Sequence, residues 1–452
     1  MTGAWWKRPS WIAAATVACV GVPPGVAPGV ASAVAPGART FGPGVQVTAG
    51  DVASVVLMAT AAVLVVRGRT NVPRAALAVF GPLVAGLGIS TVCSSDIAAS
   101  LPGFLRDLQI FVLVPLAVVL VCRDRADLGI VCGAVLGLGA AEAAYGIWQA
   151  ATGNGASIGG ANVRAVGTFG AVDVMAMSVV AAFAFLVLAA FALAGVRRTR
   201  GTVPAALGGL AVLGAALVLA LSRGTWLALG VAAVLMLVLF DRWIAVKTVA
   251  CGAALVLTFG IFAGGASSAV TARARSMVGS VTDPDRSVND RYHLWVAAQR
   301  MWLDNPFTGV GVKNFAEYRD TYAGIELSSG SETHDPVNGY MRQPLLSPHN
   351  QYLLVLAEQG AVGLAGFAAM LAGIVRGLWR RRGPRDPLWL AAVGCTAFLL
   401  VNFMYSDLGG PTTVLTATLL GVAATRAFGL RRPAPSRIDR HGFRVYELQG
   451  AP

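Results

Sequence analysis

The sequence predicts an all-α polytopic membrane protein of about twelve transmembrane helices with one large extracytoplasmic loop. Three observations predict it. Of 452 residues, 56% are hydrophobic and only 13% are charged, about half the charge content of ordinary soluble domains. The mean hydropathy is +0.67, and the apolar residues gather into continuous runs of the length a bilayer core demands. The basic residues fall mainly on alternate connections between those runs. Transmembrane barrels are excluded, because their strands are short and alternate in polarity.

In chain order the runs are 12–35, 50–66, 75–93, 105–122, 128–148, 172–195, 203–221, 224–240, 243–263, 349–375, 388–405 and 411–428. One set of connections carries Lys7 and Arg8, then Arg67, Arg69 and Arg74, Arg123 and Arg125, and Arg197, Arg198 and Arg200. It continues with Arg242, Lys247, the arginines from Arg376 to Arg385 and the basic tail. The alternate short connections hold only Arg39, Arg106, Arg164 and Arg223. Positive charge is retained on the cytoplasmic side, so both termini are expected there. Residues 1–263 then hold nine helices, 264–348 the extracytoplasmic loop, 349–428 three more helices and 429–452 a cytoplasmic basic tail. Lys7-Arg8, the apolar run and Ala31-Ser32-Ala33 or Ala33-Val34-Ala35 also fit a cleavable signal peptide. The length of the run favours an uncleaved first helix.

The net charge of +13 is accounted for by this topology, leaving nothing to imply a nucleic-acid partner. The six cysteines lie in or beside apolar runs without a CxxC pair, as small packing residues do.

The loop 264–348 holds nine acids and eight bases and is nearly neutral. Connections of that length are uncommon unless they function. From Asp290, Leu294, Trp295, Ala298, Met301 and Trp302 form an apolar helical stripe that Asn305-Pro306 ends. Its tryptophans suit a helix lying on membrane lipid. A second short helix is expected over 314–322, and residues 324–346, rich in Ser, Gly and Pro, read as a flexible stretch.

Chemistry is carried at the loop's return to the membrane, Ser347-Pro348-His349-Asn350-Gln351. An N-cap serine and a proline at the first helical position place His349 in the first turn of a helix. The positive end of the helix disfavours imidazolium, leaving a neutral histidine suited to act as a general base. The plain alternative is a polar residue at the interface. Arg223, in a very short external connection, lies on the side from which positive charge is depleted, which suggests an anionic partner. Lipid snorkelling explains it equally well. Arg291 opens the amphipathic helix, where its planar fork suits phosphate oxygens; an ordinary solvated charge is the alternative. Glu142 and Glu358 are carboxylates inside apolar runs, where charge is costly. Glu358 lies about 900° of helical rotation past His349, on the opposite face, and a structural role is expected for both. Gly309-Val310-Gly311-Val312-Lys313 lacks P-loop spacing, and His293, His334 and His349 lack zinc-ligand spacing.

Taken together these residues resemble the O-antigen ligase and O-antigen polymerase superfamily of bacterial envelope polysaccharide glycosyltransferases. The resemblance rests on Ser222-Arg223-Gly224, Arg291-Tyr292-His293-Leu294-Trp295 and Asp304-Asn305-Pro306-Phe307-Thr308-Gly309-Val310-Gly311. Asn314-Phe315 and His349-Asn350 with the spaced Gly360 and Gly363 complete it. It implies a GT-C-like helical fold in the cytoplasmic membrane and an active site on the extracytoplasmic face. It also implies a glycan donor on a polyprenyl diphosphate such as undecaprenyl diphosphate. By resemblance, His349 deprotonates an acceptor hydroxyl, Arg223 and Arg291 bind the diphosphate, and Asn350, Gly360, Gly363 and Glu358 support them. No metal or other cofactor is implied; arginines supply the electrostatic stabilisation, and Asp283-Pro284-Asp285 reads as a turn.

The acceptor stays open: a lipid core for a ligase, another repeat unit for a polymerase, or a wall polymer. Its recognition is expected in 264–348 and 149–171. A transporter or flippase is the alternative from another class, favoured by the intramembrane carboxylates but not by any internal repeat.

Overall fold

The computed structural model describes residues 5–23, 47–158, 161–170, 173–195, 202–262, 286–327, 331–335, 339–343 and 345–430. The described residues are overwhelmingly helical. The first helices are α1 (Ser10–Cys19), α2 (Ala49–Val66), α3 (Arg74–Val92), α4 (Ile97–Leu108), α5 (Val114–Val121) and α6 (Arg125–Thr152). A short hairpin, β1 (Ala156–Ile158) and β2 (Ala161–Arg164), precedes α7 (Ala176–Gly195), α8 (Thr202–Leu219), α9 (Arg223–Phe240) and α10 (Arg242–Phe262). Then come α11 (Arg286–Asp304), α12 (Phe315–Tyr322), a second antiparallel hairpin of β3 (Ser331–Asp335) and β4 (Gly339–Gln343), α13 (Gln351–Arg380), α14 (Pro387–Asn402) and α15 (Thr413–Phe428).

Among the described residues seven helical spans are long and apolar enough to cross a membrane: α2, α3, α4 through α5, α6, α7, α9 and α13. Four shorter apolar helices lie at Ser10–Cys19, Val203–Leu219, Pro387–Asn402 and Thr413–Phe428. Lengths follow local chemistry. Thr48 and Asp51 form a capping box at the start of α2, as Asp124 and Asp127 do at α6, satisfying amide groups that a helix start leaves open. Between α4 and α5 the chain makes a π-helical turn at Gln109–Leu113. Pro115 follows it, and a proline ring cannot fit against the preceding helical carbonyl.

Close helix contact is made by small residues. A Cβ on Gly366 of α13 would sit 2.6 Å from the Pro82 carbonyl oxygen of α3, and one on Gly86 would sit 3.0 Å from that of Val362. Larger side chains fill the remainder: Phe183 and Phe398 pack edge to face at 5.0 Å, and buried Trp389 donates to the Leu378 carbonyl at 2.9 Å. One end of the bundle is tied by ion pairs, Arg8 with Asp124 and Asp127 and both Arg125 and Arg426 with Asp386. The opposite end gathers the connections 93–96, 220–222 and 403–412 and the described residues of 153–175 and 305–350.

Several boundaries depart from the hydropathy runs. The first helix ends at Cys19, and the rest of the 12–35 run lies mostly outside the described residues. The 105–122 run begins eight residues early, because Asp96 accepts from the Ala99 amide and caps a start at Ile97. Just beyond that added stretch, Arg106 is paired with Asp51, and Asp107 accepts from Gln359 at 3.1 Å. Averaged hydropathy cannot see such pairing. The expected flexible stretch 324–346 contains the paired strands β3 and β4. The apolar stripe of α11 faces protein rather than lipid: Leu294, Ala298 and Met301 pack with Val310, Phe315, Leu345, Leu354 and Ala357. Tyr292, Val296 and Leu303 are exposed instead. Residues 263–285 of the loop and the tail from 431 lie outside the described residues.

Candidate functional site

His349 does not lie in a helical turn. Asn350 is the cap: its Oδ1 accepts from the Leu353 amide at 3.1 Å and α13 starts at Gln351. His349 precedes it at φ +48°, a left-handed conformation that costs a non-glycine residue about 1 kcal/mol. The cap was misplaced because Ser347 uses its hydroxyl on the His349 amide, at 3.4 Å, in a local turn that competes with helix. Three bonds hold this turn. Trp295 of α11 donates to the Pro348 carbonyl at 2.9 Å. The Gln351 amide donates to the Phe403 carbonyl, and Gln351 Oε1 accepts from the Leu408 amide, each at 2.8 Å. The histidine is thereby fixed between α11 and the 403–412 connection.

That connection supplies its partner. Asp407 Oδ1 lies 3.5 Å from His349 Nδ1, whose other near neighbour is the Ser347 hydroxyl, also at 3.5 Å. Burial pushes the Asp407 carboxyl up, but His349, Ser347 and Lys313 outweigh it and hold the group at about 2. An ionised Asp407 at Nδ1 favours a proton on that nitrogen, so the tautomer assigned from this environment leaves Nε2 as the base. The His349 side chain is 38% exposed and Asp407 15%, so the imidazole alone of the pair is substantially open to a ligand.

Arg223 is the first residue of α9 and is half-buried. Its hairpin is tightly made: Leu221 takes φ +51°, the Ser222, Thr225 and Ser178 hydroxyls form a chain with 2.9 Å links, and Trp226 bonds the Leu217 carbonyl at 2.7 Å. Gly224 abuts Tyr405, where an added Cβ would sit 3.1 Å from the Tyr405 Cβ. Arg223 therefore emerges against the connection that carries Asp407. Arg291 lies one helical turn before Trp295, on the same side of α11, and so on the side of that helix bonded to Pro348. Arg164 joins from the first hairpin, donating to the Ala220 carbonyl at 2.9 Å. Asp173 reaches Gly410, and burial, reinforced by Asp407, pushes its carboxyl up against hydrogen bonds from the Met175 and Ala176 amides and the charge of Arg164.

Gly360, Gly363 and Glu358 build the support beneath. Gly360 breaks α13 with φ +63°, ψ −165°, a region essentially confined to glycine. Residues 306–311 lie against the break. Ala361 and Val362 donate to the Pro306 and Phe307 carbonyls at 2.9 and 3.1 Å, while Val310 and Gly311 donate to those of Ala357 and Glu358 at 3.0 and 2.9 Å. Ser90 adds a bond to the Thr308 carbonyl at 2.6 Å. Buried Glu358 accepts from the Phe315 amide at 3.1 Å, capping α12. Gly363 packs against the Gln359 side chain of its own helix. Glu142 clasps Thr168 through its amide and hydroxyl at 2.9 and 2.7 Å. Among the described residues no three His, Cys, Asp or Glu side chains converge as metal ligands.

Residues 208–368 match the family model described as O-antigen ligase. That stretch is similar to the O-antigen ligase family. No curated protein matches the chain. The matched stretch contains Arg223, Arg291, His349, Asn350, Glu358, Gly360 and Gly363, and it runs from α8 into α13. Arg164, Asp173 and Asp407 lie outside it in sequence and join it through the fold.

Three site residues escaped sequence reasoning. Asp407 and Asp173 are single acids in polar connections, indistinguishable in sequence from solvated turn residues. Lys313 is the third, dismissed with the failed P-loop; its φ of +65° is invisible in sequence.

Proposed function

We propose that this membrane protein is an inverting, metal-independent glycosyltransferase. It transfers a glycan from a polyprenyl diphosphate to an acceptor hydroxyl at the outer face of a bacterial cytoplasmic membrane. The carrying observation is the His349–Asp407 pair at the end of the bundle where Arg223 and Arg291 also emerge. His349 Nε2 takes the acceptor's hydroxyl proton as that oxygen attacks the anomeric carbon from the face opposite the diphosphate. The anomeric C–O bond breaks and the electron pair leaves on the diphosphate, whose charge Arg223 and Arg291 stabilise. Asp407 holds the imidazole tautomer and balances the imidazolium that forms, as carboxylates do in His-containing triads.

A GT-C-like arrangement of about twelve spans goes with this reading. It is supported by the four shorter apolar helices and α10 beside the seven long spans. Cytoplasmic placement of the ion-paired end, which carries Arg8, Arg125, Arg381 and Arg426, is supported by the retention of basic residues on that side. The family match supports lipid-linked glycan as the substrate class. Acceptor recognition is assigned to the hairpins at the open end.

The direct test is reconstitution. Purified protein in liposomes, supplied with polyprenyl-diphosphate-linked glycan and either a lipid core or a second lipid-linked repeat unit, is expected to release one polyprenyl diphosphate per glycan transferred, with EDTA present. Absence of transfer to both acceptors would defeat the proposal. Which acceptor works decides between ligase and polymerase.

Two variants refine it. Arg223→Ala and Arg291→Ala should each weaken donor binding about 10- to 100-fold, the scale of a lost charge-assisted hydrogen bond, as measured by titration with labelled donor. Wild-type affinity in both would remove the diphosphate assignment. Asp407→Asn should lower turnover about 10²- to 10⁴-fold with little change in donor affinity, since it disturbs the tautomer and not the contact. An unaltered pH–rate profile in that variant would reduce Asp407 to a structural residue.

A further inference from the structure

Lys313 occupies a position that favours a different residue. Its φ is +65°, a conformation that glycine adopts freely and a lysine does not. The other two non-glycine residues with positive φ among those described are Leu221 and His349, both at the same end of the bundle. Gly103 of α4 makes room for the lysine stem; a Cβ there would lie 2.6 Å from Lys313 Cγ. The side chain is solvent-accessible, yet protein surrounds it so closely that burial is the largest influence on its ammonium. Burial would lower its pKa, but Asp107, Glu358 and Asp407 outweigh it and raise it, so the group is cationic.

Each of those carboxylates is already engaged elsewhere. Asp107 accepts from Gln359, Glu358 from the Phe315 amide, and Asp407 faces His349. Among the described residues the Lys313 ammonium closes no ion pair or hydrogen bond. The carboxylates keep it charged from a distance, while its three N–H donors remain unspent.

We propose that Lys313 is a third cation of the site, donating hydrogen bonds to an oxyanion of the lipid-linked donor at the end of the bundle that carries the His349–Asp407 pair. The inference rests on the donor class argued above and names a residue that determines its affinity. The oxyanion is either a phosphate of the carrier or a carboxylate of the glycan.

Binding in lipid nanodiscs separates these. Three probes are titrated: sugar-free polyprenyl diphosphate, the same carrier with a neutral glycan, and the carrier with a uronate-containing glycan. They are tested on wild type, Lys313→Gln, Lys313→Arg and Lys313→Gly. Lys313→Gln is expected to lose about tenfold in affinity and Lys313→Arg to stay within about threefold. Glycine accepts the positive φ without strain, so a matching loss in Lys313→Gly excludes a distorted turn as the cause. A loss seen with every probe identifies a phosphate; a loss confined to the uronate probe identifies a glycan carboxylate. Unchanged affinity of Lys313→Gln and Lys313→Gly for all three overturns the inference. Failure of wild type to bind any probe defeats the donor assignment itself, and this inference with it.

Discussion

His349→Ala is expected to insert, fold and bind donor as the wild type does, and to transfer glycan at least 10²- to 10⁴-fold more slowly, the contribution of a positioned general base. The expectation follows from the division of the ring. Nδ1 faces Asp407 and Ser347 at 3.5 Å, which fixes the imidazole and leaves Nε2 for the acceptor. The histidine side chain contributes little to the fold: the 345–353 turn is held by Trp295, Gln351 and Asn350. Truncating it removes a strained residue's side chain from a pre-formed turn. Initial rates in proteoliposomes, with donor affinity measured in parallel, test both halves. Wild-type turnover would remove His349 from the chemistry, whereas loss of donor affinity equal to the loss of rate would make it a binding residue.

Gly360→Ala is expected to be the most damaging single-methyl addition in the chain. A Cβ there would overlap the Phe307 carbonyl and the Thr308 amide nitrogen, and the φ +63°, ψ −165° conformation excludes side chains. The backbone penalty is about 1–3 kcal/mol and the overlap another 1–3. Relief would require the 306–311 segment to withdraw, leaving the Ala361 and Val362 amides and the Ala357 and Glu358 carbonyls without their present partners. Thermal unfolding in detergent should show a melting temperature lowered well beyond that of Gly88→Ala on α3, where nothing stands within 4 Å. Similar melting of the two variants would mean that the break in α13 is dispensable.

The helical runs were legible because a bilayer forces continuous apolar stretches, and the runs from 50–66 to 411–428 each coincide with a helix. Charged residues hid what remained. Asp96 made the first turns of α4 look like a connection, although it caps them through the Ala99 amide. His349, Arg223 and Arg291 could be singled out, being charged or titratable groups at run boundaries, and their motifs pointed to the family. The turn around His349 could not, because Ser347-Pro348 spells a helix start as well as Asn350 does. Asp407 and Lys313 lie 58 and 36 positions from His349 in the sequence and acquire meaning only through the fold. The apolar stripe on α11 was correctly periodic, yet periodicity names a buried face without saying whether protein or lipid buries it.

The seam between 306–311 and the break in α13 also bears on how the chain is made. Alone in a bilayer, residues 351–380 would close as one unbroken helix, because unpaired amides are intolerable in hydrocarbon. The break forms only when the segment synthesised just before it has folded back so that its Pro306 and Phe307 carbonyls take up the Ala361 and Val362 amides. Docking of residues 306–311 and final shaping of α13 are thus one event.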